Sequence, residues 1–432
     1  MQAHTHRVVI VGGGAGGLEL AAKLGSRFGP RCVTLVDLAA FHIWKPSLHE
    51  VAAGTLDIHR EGLSYFMLGK SRGFKFVRGE MLGADLQAHC IHLAAVRDAQ
   101  GEELYPPRDL AYDTLVLAVG SKSNFFNTPG ASQFALAIDS TAQAEKFRLK
   151  LLRALAHAHG SGKGLSIAIV GAGATGVELA AELAQSCADV ATYGLADFDP
   201  ARDLHITLLE GAPRILSALP EKISTAAHRL LTQRGIEVRT GVRIAAVRAD
   251  GLSDSEGRDY PADLCVWAAG IEAPAFLSDL GLRTNARHQI VVDAALRTSD
   301  PAVFALGDCV ELAWGDEGRF VPARAQAAHQ QADFLLNELS ARIRGADLPR
   351  DERAYRYKDY GSLVSLGHNR VVGNLMGVLT GKGLFIEGLF ARFMYMSLHL
   401  MHHFALLGAV RTAMLAIGRL LLKRGAPRVK LH

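Results

Sequence analysis

The feature that most constrains the fold is an internal repeat of an apolar run, a glycine-rich loop and a helix-forming stretch. The first copy has His6-Arg7-Val8-Val9-Ile10-Val11 before GGGAGGLELAAKL from Gly12, and the second has Ser166-Ile167-Ala168-Ile169-Val170 before GAGATGVELAAEL from Gly171. Each copy is a strand, a G-x-G-x-x-G loop and a helix, which is the context of a dinucleotide-binding βαβ unit. The repeat predicts an α/β fold with two Rossmann-like units.

The glycines of each loop have separate physical tasks. The first makes the tight turn, the second lets a pyrophosphate approach the backbone, and the third admits close packing of helix on strand; they are Gly12, Gly14 and Gly17 in the first copy and Gly171, Gly173 and Gly176 in the second. The phosphates then lie at a helix N-terminus, whose free N–H groups favour anions. One such loop is often only a packing turn, but two copies with correct flanks indicate two bound dinucleotides.

A carboxylate ends the second strand of each unit. Cys32-Val33-Thr34-Leu35-Val36 precedes Asp37, and Ile206-Thr207-Leu208-Leu209 precedes Glu210. Such a carboxylate accepts hydrogen bonds from ribose hydroxyls and repels a 2′-phosphate, so Glu210 favours NADH over NADPH. Two features oppose this reading: Arg214 follows closely, and Glu210 lies farther from its glycines than the usual spacing of about 20 residues. We interpret residues 186–202 as an insertion.

Three later strand-like runs end in glycine. The runs stop at Gly120, at Gly270 and at Gly307-Asp308, and the first two are placed to close a domain beside its nucleotide. At the third, the carboxylate of Asp308 could accept hydrogen bonds from the ribityl hydroxyls of a flavin. Taken singly, each of these glycines is also compatible with an ordinary strand end or turn.

Composition excludes several classes of protein. The five cysteines fall singly, without a C-x-x-C or longer paired motif, so neither a zinc site nor a redox disulfide is indicated. The N-terminus enters a strand almost at once and has no signal-peptide pattern, which favours the cytoplasm. After Thr380, eight Lys and Arg oppose only Glu387, so against a total of +4 the preceding residues carry −3. We therefore expect no nucleic-acid binding by the main body.

Together these motifs resemble the type II NADH dehydrogenases, also called alternative NADH:quinone oxidoreductases, and look closest to the proteobacterial members. The resemblance covers nearly the whole chain. It rests on the paired loops and on five further segments: His42 to Ala52 (HIWKPSLHEVA), Trp267 to Ile271 (WAAGI), Gly307 to Cys309 (GDC), Pro322 to Gln330 (PARAQAAHQ) and Gly361 to Leu366 (GSLVSL).

The resemblance implies a split flavin domain with a nicotinamide domain inserted in it. Residues 1–150 and 286–380 would hold non-covalent FAD, residues 151–285 would hold NADH, and residues 381–432 would lie on the membrane. The first loop, Lys45 and Gly307-Asp308 would then bind FAD, and the second loop would bind NADH. Glu178, on the helix that opens the second unit, would lie near both reacting rings; its counterpart in the repeat is Glu19. The alternative for either is an ordinary helix carboxylate.

The family motif around Gln326 and Gln330 lies at the quinone side of the flavin. The two residues are four apart and share one helix face, and a neutral amide can hydrogen-bond a flavin carbonyl or a quinone oxygen. Without the resemblance the pair would be read as a helix surface. His49 and Lys382 are weaker candidates for the quinone end.

The C-terminal segment has an amphipathic pattern. Eighteen residues without formal charge separate Arg392 from Arg411, close to the ~20 of a membrane-spanning helix. On a helical wheel, however, polar and apolar residues separate: Arg392, Tyr395, His399, His402 and His403 oppose Phe393, Met396, Leu400, Met401, Phe404 and Leu407, while Thr412, Arg419 and Lys423 oppose Met414, Ile417, Leu420 and Leu421.

Two basic amphipathic helices, kinked at Gly408, are expected to lie on an anionic membrane surface. The partner surface would then be the cytoplasmic face of the inner (plasma) membrane, with the protein peripheral. A core-forming helix pair or a homodimer contact is the alternative for the same apolar faces.

The expected reaction is hydride transfer from NADH to FAD, followed by two-electron reduction of a membrane quinone without proton pumping. The rivals are a ferredoxin reductase, a disulfide reductase, a sulfide:quinone oxidoreductase and an NADH-binding redox sensor or death-factor-like module. The absence of paired cysteines opposes the disulfide and sulfide enzymes. The C-terminal segment opposes the soluble reductases.

Overall fold

The computed structural model describes residues 5–193, 198–315, 318–346, 354–367, 370–376, 383–387, 397, 400–422 and 429–430. The strands as far as residue 123 are β1 (Val8–Val11), β2 (Val33–Asp37), β3 (Phe41–His42), β4 (Leu63–Ser64), β5 (Lys75–Arg78), β6 (Met81–Asp85), β7 (Cys90–Leu93), β8 (Val96–Arg97), β9 (Glu103–Tyr105), β10 (Arg108–Ala111), β11 (Thr114–Leu117) and β12 (Lys122–Ser123). The helices as far as residue 161 are α1 (Ala15–Phe28), α2 (Leu48–Ala53), α3 (Ile58–Glu61), α4 (Tyr65–Arg72), α5 (Ala131–Phe134) and α6 (Thr141–Ser161).

The second half of the chain supplies the remaining elements. Its strands are β13 (Leu165–Val170), β14 (Leu204–Glu210), β15 (Glu237–Thr240), β16 (Ile244–Arg248), β17 (Gly251–Asp254), β18 (Asp259–Pro261), β19 (Leu264–Trp267), β20 (Ile271–Glu272), β21 (Ile290–Val291), β22 (Val303–Ala305), β23 (Val310–Glu311), β24 (Gly361–Ser365), β25 (Val371–Met376) and β26 (Gly383–Glu387). Its helices are α7 (Ala174–Ala191), α8 (Pro200–Asp203), α9 (Glu221–Thr232), α10 (Ala325–Ile343) and α11 (Ala409–Leu422).

The first glycine loop belongs to a five-stranded parallel sheet with strand order β22-β11-β1-β2-β5. Its central strand β1 is buried along its whole length, which explains its unbroken apolar run. Helices α1 and α10 pack against each other beside the sheet. Strand β22 follows the second unit in the sequence and returns to this sheet, so the sheet is built from two separate parts of the chain.

The second glycine loop belongs to a four-stranded parallel sheet with order β15-β14-β13-β19. Strand β13 takes the place of β1, and α7 takes the place of α1. The two predicted dinucleotide-binding units of an α/β fold are confirmed. Helix α2 packs on α6 and α7 and contributes Leu48 and Val51 to the core of the second unit. The short pair β12 and β20 joins the chain segments that leave the two sheets.

The third glycine of each loop lets the helix touch the turn. A Cβ built on Gly17 would lie 2.0 Å from the carbonyl oxygen of Gly12, and one built on Gly176 would lie 1.9 Å from that of Gly171. Gly12 and Gly171 have φ of 105° and 100°, which L side chains rarely adopt. These turns explain why glycine occupies the positions that the repeat marks.

The tail, defined here as residues 400–422, turns its apolar side outward. Residues 400–407 are helical, Gly408 has φ of 80°, and α11 follows, so the predicted break at Gly408 is confirmed. His402, His403, Leu406 and Thr412 are buried, whereas the exposed apolar side chains are Met401, Phe404, Val410, Met414, Leu415 and Ile417. In the described part of the chain, no helix combines the length and hydropathy that crossing a bilayer requires.

Several residues on which the amphipathic prediction relied lie outside the described residues or have side chains that are not described. Those outside are Arg392, Phe393, Tyr395, Met396, His399 and Lys423, and the side chains not described are those of Arg419, Leu420 and Leu421. The outward apolar face is therefore established for Met401 to Ile417 alone.

The glycine geometry predicts a sharp contrast within one loop. Gly176→Ala should lower the free energy of unfolding by about 3 kcal/mol, because the new methyl group meets backbone that cannot move aside. Gly173→Ala should cost at most about 1 kcal/mol, since nothing lies within 4 Å of its Cβ position. Urea titration of both variants without added nucleotide measures the difference. Equal destabilisation would contradict the packing role of Gly176.

Candidate functional site

The first loop presents an uncapped helix N-terminus. Gly14 is the N-cap of α1 and supplies no side-chain cap, and a Cβ built on it would meet nothing within 4 Å. Asp37, at the end of β2, accepts hydrogen bonds from the backbone N–H of Gly13 at 2.6 Å and of Ala39 at 2.8 Å. Burial raises the pKa of Asp37, and the two hydrogen bonds oppose that change. The loop thus combines open space, free N–H groups and a carboxylate.

The second loop repeats this geometry. Gly173 is the N-cap of α7 without a side-chain cap, and Glu210 accepts from the backbone N–H of Ala172 at 2.6 Å and of Ala212 at 2.8 Å. The long spacing before Glu210 has a structural cause, since α7 has 18 residues against 14 for α1 and α8 follows it. The guanidinium of Arg214 donates to the carbonyl oxygens of Leu216 and Ser217.

A chain of hydrogen bonds joins Lys45 to Asp308. The Nζ of Lys45 donates to the carbonyl oxygen of Ser121 at 2.7 Å and to its hydroxyl at 3.2 Å, and that hydroxyl donates to Asp308 Oδ2 at 2.9 Å. Gly120, with φ of 72°, turns the chain just before Ser121. Sequence reasoning selected Lys45, Gly120 and Asp308 but missed Ser121, whose only signal is its position next to Gly120.

The glutamines of α10 bind two different parts of the chain. Gln326 Oε1 accepts from the hydroxyl of Tyr357 at 2.8 Å, and Gln330 exchanges two hydrogen bonds with the backbone of Lys358. Both therefore fasten α10 to the segment before β24. The neighbouring Gln331 is buried, and its Oε1 accepts from the N–H of Gly307 at 2.7 Å. The sequence does not single out Gln331, whose only signal is its position next to Gln330 on α10.

Glu178 and Glu19 occupy matching positions in different surroundings. Glu178 Oε1 accepts from the backbone N–H of Ser365 at 2.9 Å, and its Oε2 lies 3.7 Å from Nδ1 of the buried His49. Burial raises the pKa of Glu178 to about 8, so this carboxyl is largely protonated at neutral pH. Glu19 is also buried, but it is paired with Lys23 and with His329.

Gly270 closes the second unit beside an aromatic ring. It has φ of 66°, and a Cβ built on it would lie 2.2 Å from Cζ of Phe126. Phe126 is exposed and has φ of 50°. The prediction for Lys382 lies outside the described residues. Of the residues selected from the sequence, the structure therefore groups Lys45, Gly120 and Asp308 in one place and His49 and Glu178 in another.

The tail is joined to the first glycine loop through two histidines. Nδ1 of His42 lies 2.9 Å from the carbonyl oxygen of Gly13, and its Nε2 lies 2.8 Å from Nε2 of His402. Burial lowers the pKa of His42 to about 4, so its ring is neutral at pH 7. Because a carbonyl oxygen only accepts, Nδ1 of His42 carries the proton and Nε2 accepts from His402. Arg72 Nε also donates to the carbonyl oxygen of Leu406 at 2.5 Å.

Comparison with known proteins assigns this architecture to a family. Residues 6–332 match the family described as pyridine nucleotide-disulphide oxidoreductase. A type II NADH:quinone oxidoreductase of Haemophilus influenzae is 39% identical over 447 aligned positions, covering 98% of this chain and 99% of that protein. The type II NADH:quinone oxidoreductase Ndh of Mycobacterium tuberculosis is 28% identical, covering 86% and 80%.

A solved structure has the same fold. The structure of NDH2 from Plasmodium falciparum in complex with NADH superimposes with a TM-score of 0.82 at 20% identity, covering 99% of this chain and all of that one. At that identity the match shows the fold alone. The Haemophilus protein is also similar in sequence, over nearly the full length of both chains. The chain therefore belongs to the pyridine nucleotide-disulphide oxidoreductases and, among them, to the type II NADH:quinone oxidoreductases.

Proposed function

We propose that this protein oxidises NADH with a bound FAD and reduces a membrane quinone. The observation that carries the proposal is the pair of open glycine loops, each with its own strand-end carboxylate, in a chain 39% identical to a type II NADH:quinone oxidoreductase. Residues 1–150 and 286–380 form the FAD-binding part in this proposal. Residues 151–285 form the NADH-binding part.

The first unit has the groups that FAD requires. The N–H groups at the start of α1 would hold the pyrophosphate, and Asp37 would accept from the adenosine ribose. Asp308 would accept from the ribityl hydroxyls, with Ser121 and Lys45 holding its carboxylate in place. When bound, the flavin supplies the redox chemistry by accepting a hydride and releasing two electrons.

The second unit has the groups that NADH requires. The start of α7 would hold the pyrophosphate, and Glu210 would accept from the ribose hydroxyls of the adenosine half. Gly270 would let the nicotinamide half approach the backbone. The Arg214 guanidinium donates to two backbone carbonyl oxygens, and these hydrogen bonds oppose its binding of a 2′-phosphate.

We place the quinone end at Gln326 and Glu178. The amide oxygen of Gln326 is used by Tyr357, and among the described residues its amide nitrogen has no partner, so it can donate to a quinone or flavin oxygen. Glu178, protonated at neutral pH, can donate a proton. Gln330 acts by fixing α10 to Lys358, and Gln331 holds the turn at Gly307.

The tail would bring this site to the membrane. Its outward face is apolar and carries the exposed Arg411, which suits an interfacial helix over an anionic surface. We place the protein peripherally on the cytoplasmic face of the inner membrane. A homodimer that buries the same face is the second candidate, favoured by the exposed apolar side chains of that face.

The chemistry of the cysteines opposes the rival enzymes. Burial raises the pKa of Cys187, Cys265 and Cys309 to about 12, so these thiols are not nucleophiles at neutral pH. Disulfide reductases and sulfide:quinone oxidoreductases need reactive cysteines. A redox sensor or a ferredoxin reductase would not reduce quinone, so an assay of quinone reduction distinguishes them from the proposed enzyme.

The first prediction here tests the reaction itself. The purified protein should show a flavin absorption band that NADH bleaches under anaerobic conditions and that a soluble quinone restores. Stopped-flow spectrophotometry measures both steps. Bleaching without recovery would indicate a sensor or a reductase for another acceptor, and the absence of a flavin band would overturn the proposal.

The second prediction concerns coenzyme choice. Glu210→Gln keeps an acceptor for the N–H of Ala172 but removes the charge, so the preference for NADH over NADPH should fall on the order of tenfold. The matched variant Asp37→Asn should instead lower the FAD content and leave coenzyme preference unchanged. Rates with both coenzymes and the flavin-to-protein ratio measure the two effects. Loss of flavin in the Glu210 variant would reverse the assignment.

The third prediction concerns the membrane. Deleting the C-terminal segment is a poor test, because Val429 lies in the core of the second unit and Lys430 accepts from Arg148. We expect Met401, Phe404, Met414 and Ile417, replaced together by glutamine, to release the protein from anionic vesicles, since each buried apolar side chain contributes about 1.5–3 kcal/mol. Ferricyanide reduction by NADH should persist.

A charge variant separates the two contributions to membrane binding. Arg411→Gln should weaken vesicle binding by about 1 kcal/mol and reduce its dependence on salt. Sedimentation with vesicles measures both variants. The membrane role of the apolar face is contradicted if the fourfold variant still sediments with the vesicles. If wild type is a dimer that does not bind vesicles and the fourfold variant is a monomer, the apolar face serves dimerisation instead.

A further inference from the structure

A buried histidine lies between two carboxylates that differ in exposure. Nδ1 of His49 is 3.7 Å from Glu178 Oε2, and its Nε2 is 4.0 Å from Glu50 Oε1. The side chains of Glu178, His49 and Glu50 are 9%, 2% and 30% exposed. The three groups therefore form a row from the interior at α7 to the half-exposed surface at α2.

The ring of His49 is oriented for proton movement along this row. Burial lowers its pKa to about 4, and the ring hydrogen-bonds to the backbone of Pro46. Nε2 has no hydrogen-bond partner among the described residues, so the proton donated to the Pro46 carbonyl is on Nδ1. The lone pair of Nε2 then faces Glu50, and the N–H side of the ring faces Glu178.

The groups around Glu178 keep it ready to hold a proton. From α2 it faces His49 and Glu50, from α7 it faces Glu182, and from β24 it accepts from the N–H of Ser365. The negative charges of Glu50 and Glu182 and the burial all favour the protonated carboxyl; the amide hydrogen bond opposes them. Glu182 itself accepts from the hydroxyl of Thr55 at 2.6 Å.

The stoichiometry of the proposed function requires a proton from water. Reduction of a quinone to a hydroquinone takes two electrons and two protons, whereas NADH delivers two electrons and one proton as hydride. The balanced reaction is NADH + H⁺ + quinone → NAD⁺ + hydroquinone. One proton per turnover must therefore be supplied by the solvent.

We propose that Glu50, His49 and Glu178 carry this proton inward. Glu178 first gives its proton to the reduced quinone and becomes a carboxylate. Glu50 then takes a proton from water and passes it to Nε2 of His49, and the proton on Nδ1 moves to the Glu178 carboxylate; no electrons move. A flip of the ring restores the starting tautomer. The separations of 3.7 and 4.0 Å exceed a direct hydrogen bond, so a bridging water or a small side-chain rotation completes each contact. The relay rests on the proposed quinone reduction.

The test compares an acceptor that needs protons with one that does not. His49→Gln in the FAD-loaded enzyme should lower kcat for a soluble quinone at least ~tenfold, as expected for loss of acid–base transfer, while ferricyanide reduction stays within about twofold. Glu50→Gln should lower the quinone kcat about threefold, since water partly replaces an exposed group. The quinone rate of the His49 variant should show a larger solvent isotope effect in D₂O than wild type. Imidazole should partly restore the quinone rate of His49→Ala.

A second buried-nitrogen histidine provides the control. His159 on α6 also has a ring nitrogen, Nδ1, without a partner among the described residues, so His159→Gln should leave both rates unchanged. Equal loss with both acceptors in the His49 variants would indicate a structural role and overturn the relay. Wild-type quinone rates in both His49→Gln and Glu50→Gln would also overturn it. If wild type reduces ferricyanide but no quinone, the proposed function is wrong, and the relay that depends on it is wrong as well.

Discussion

The hydrogen bond between each strand-end carboxylate and its glycine loop is the interaction on which both proposed nucleotide sites depend. Asp37 accepts from Gly13, and Glu210 accepts from Ala172, so each carboxylate fixes the loop at the position where it leaves the first strand. The helix can then approach the turn because its third loop glycine has no Cβ. This leaves the first N–H groups of α1 and α7 facing open space, where phosphates are stabilised.

The two units are alike in backbone but differ where chemistry is required. Glu19 forms ion pairs with Lys23 and His329, and the second of these ties α1 to α10. Among the described residues no cation is paired with Glu178, and burial raises its pKa to about 8. The same position in the repeat therefore holds an ion-paired carboxylate in one unit and a carboxyl with a raised pKa in the other, and the difference lies in the neighbours.

The tail is connected to the first glycine loop by polar contacts. His402 donates to His42, and His42 donates to the carbonyl oxygen of Gly13 in the loop itself. The polar residues of the tail are used to dock it on the protein, which leaves Met401, Phe404 and Met414 exposed. An amphipathic helix with its polar side inward offers an apolar surface to a membrane or to a second copy.

The sequence by itself determined the two dinucleotide-binding units, because a G-x-G-x-x-G loop between strand and helix depends on short-range steric limits that neighbouring residues express. It also placed Asp37 and Glu210, since a strand end is a local feature, and the break at Gly408. Only the tertiary structure paired Lys45 with Ser121 and Asp308, and His49 with Glu178, because these partners are brought together by packing between elements far apart in the chain. It also decided protonation, because burial sets the direction of the pKa shift of both Glu178 and His49, and no local pattern records how deeply a side chain is buried.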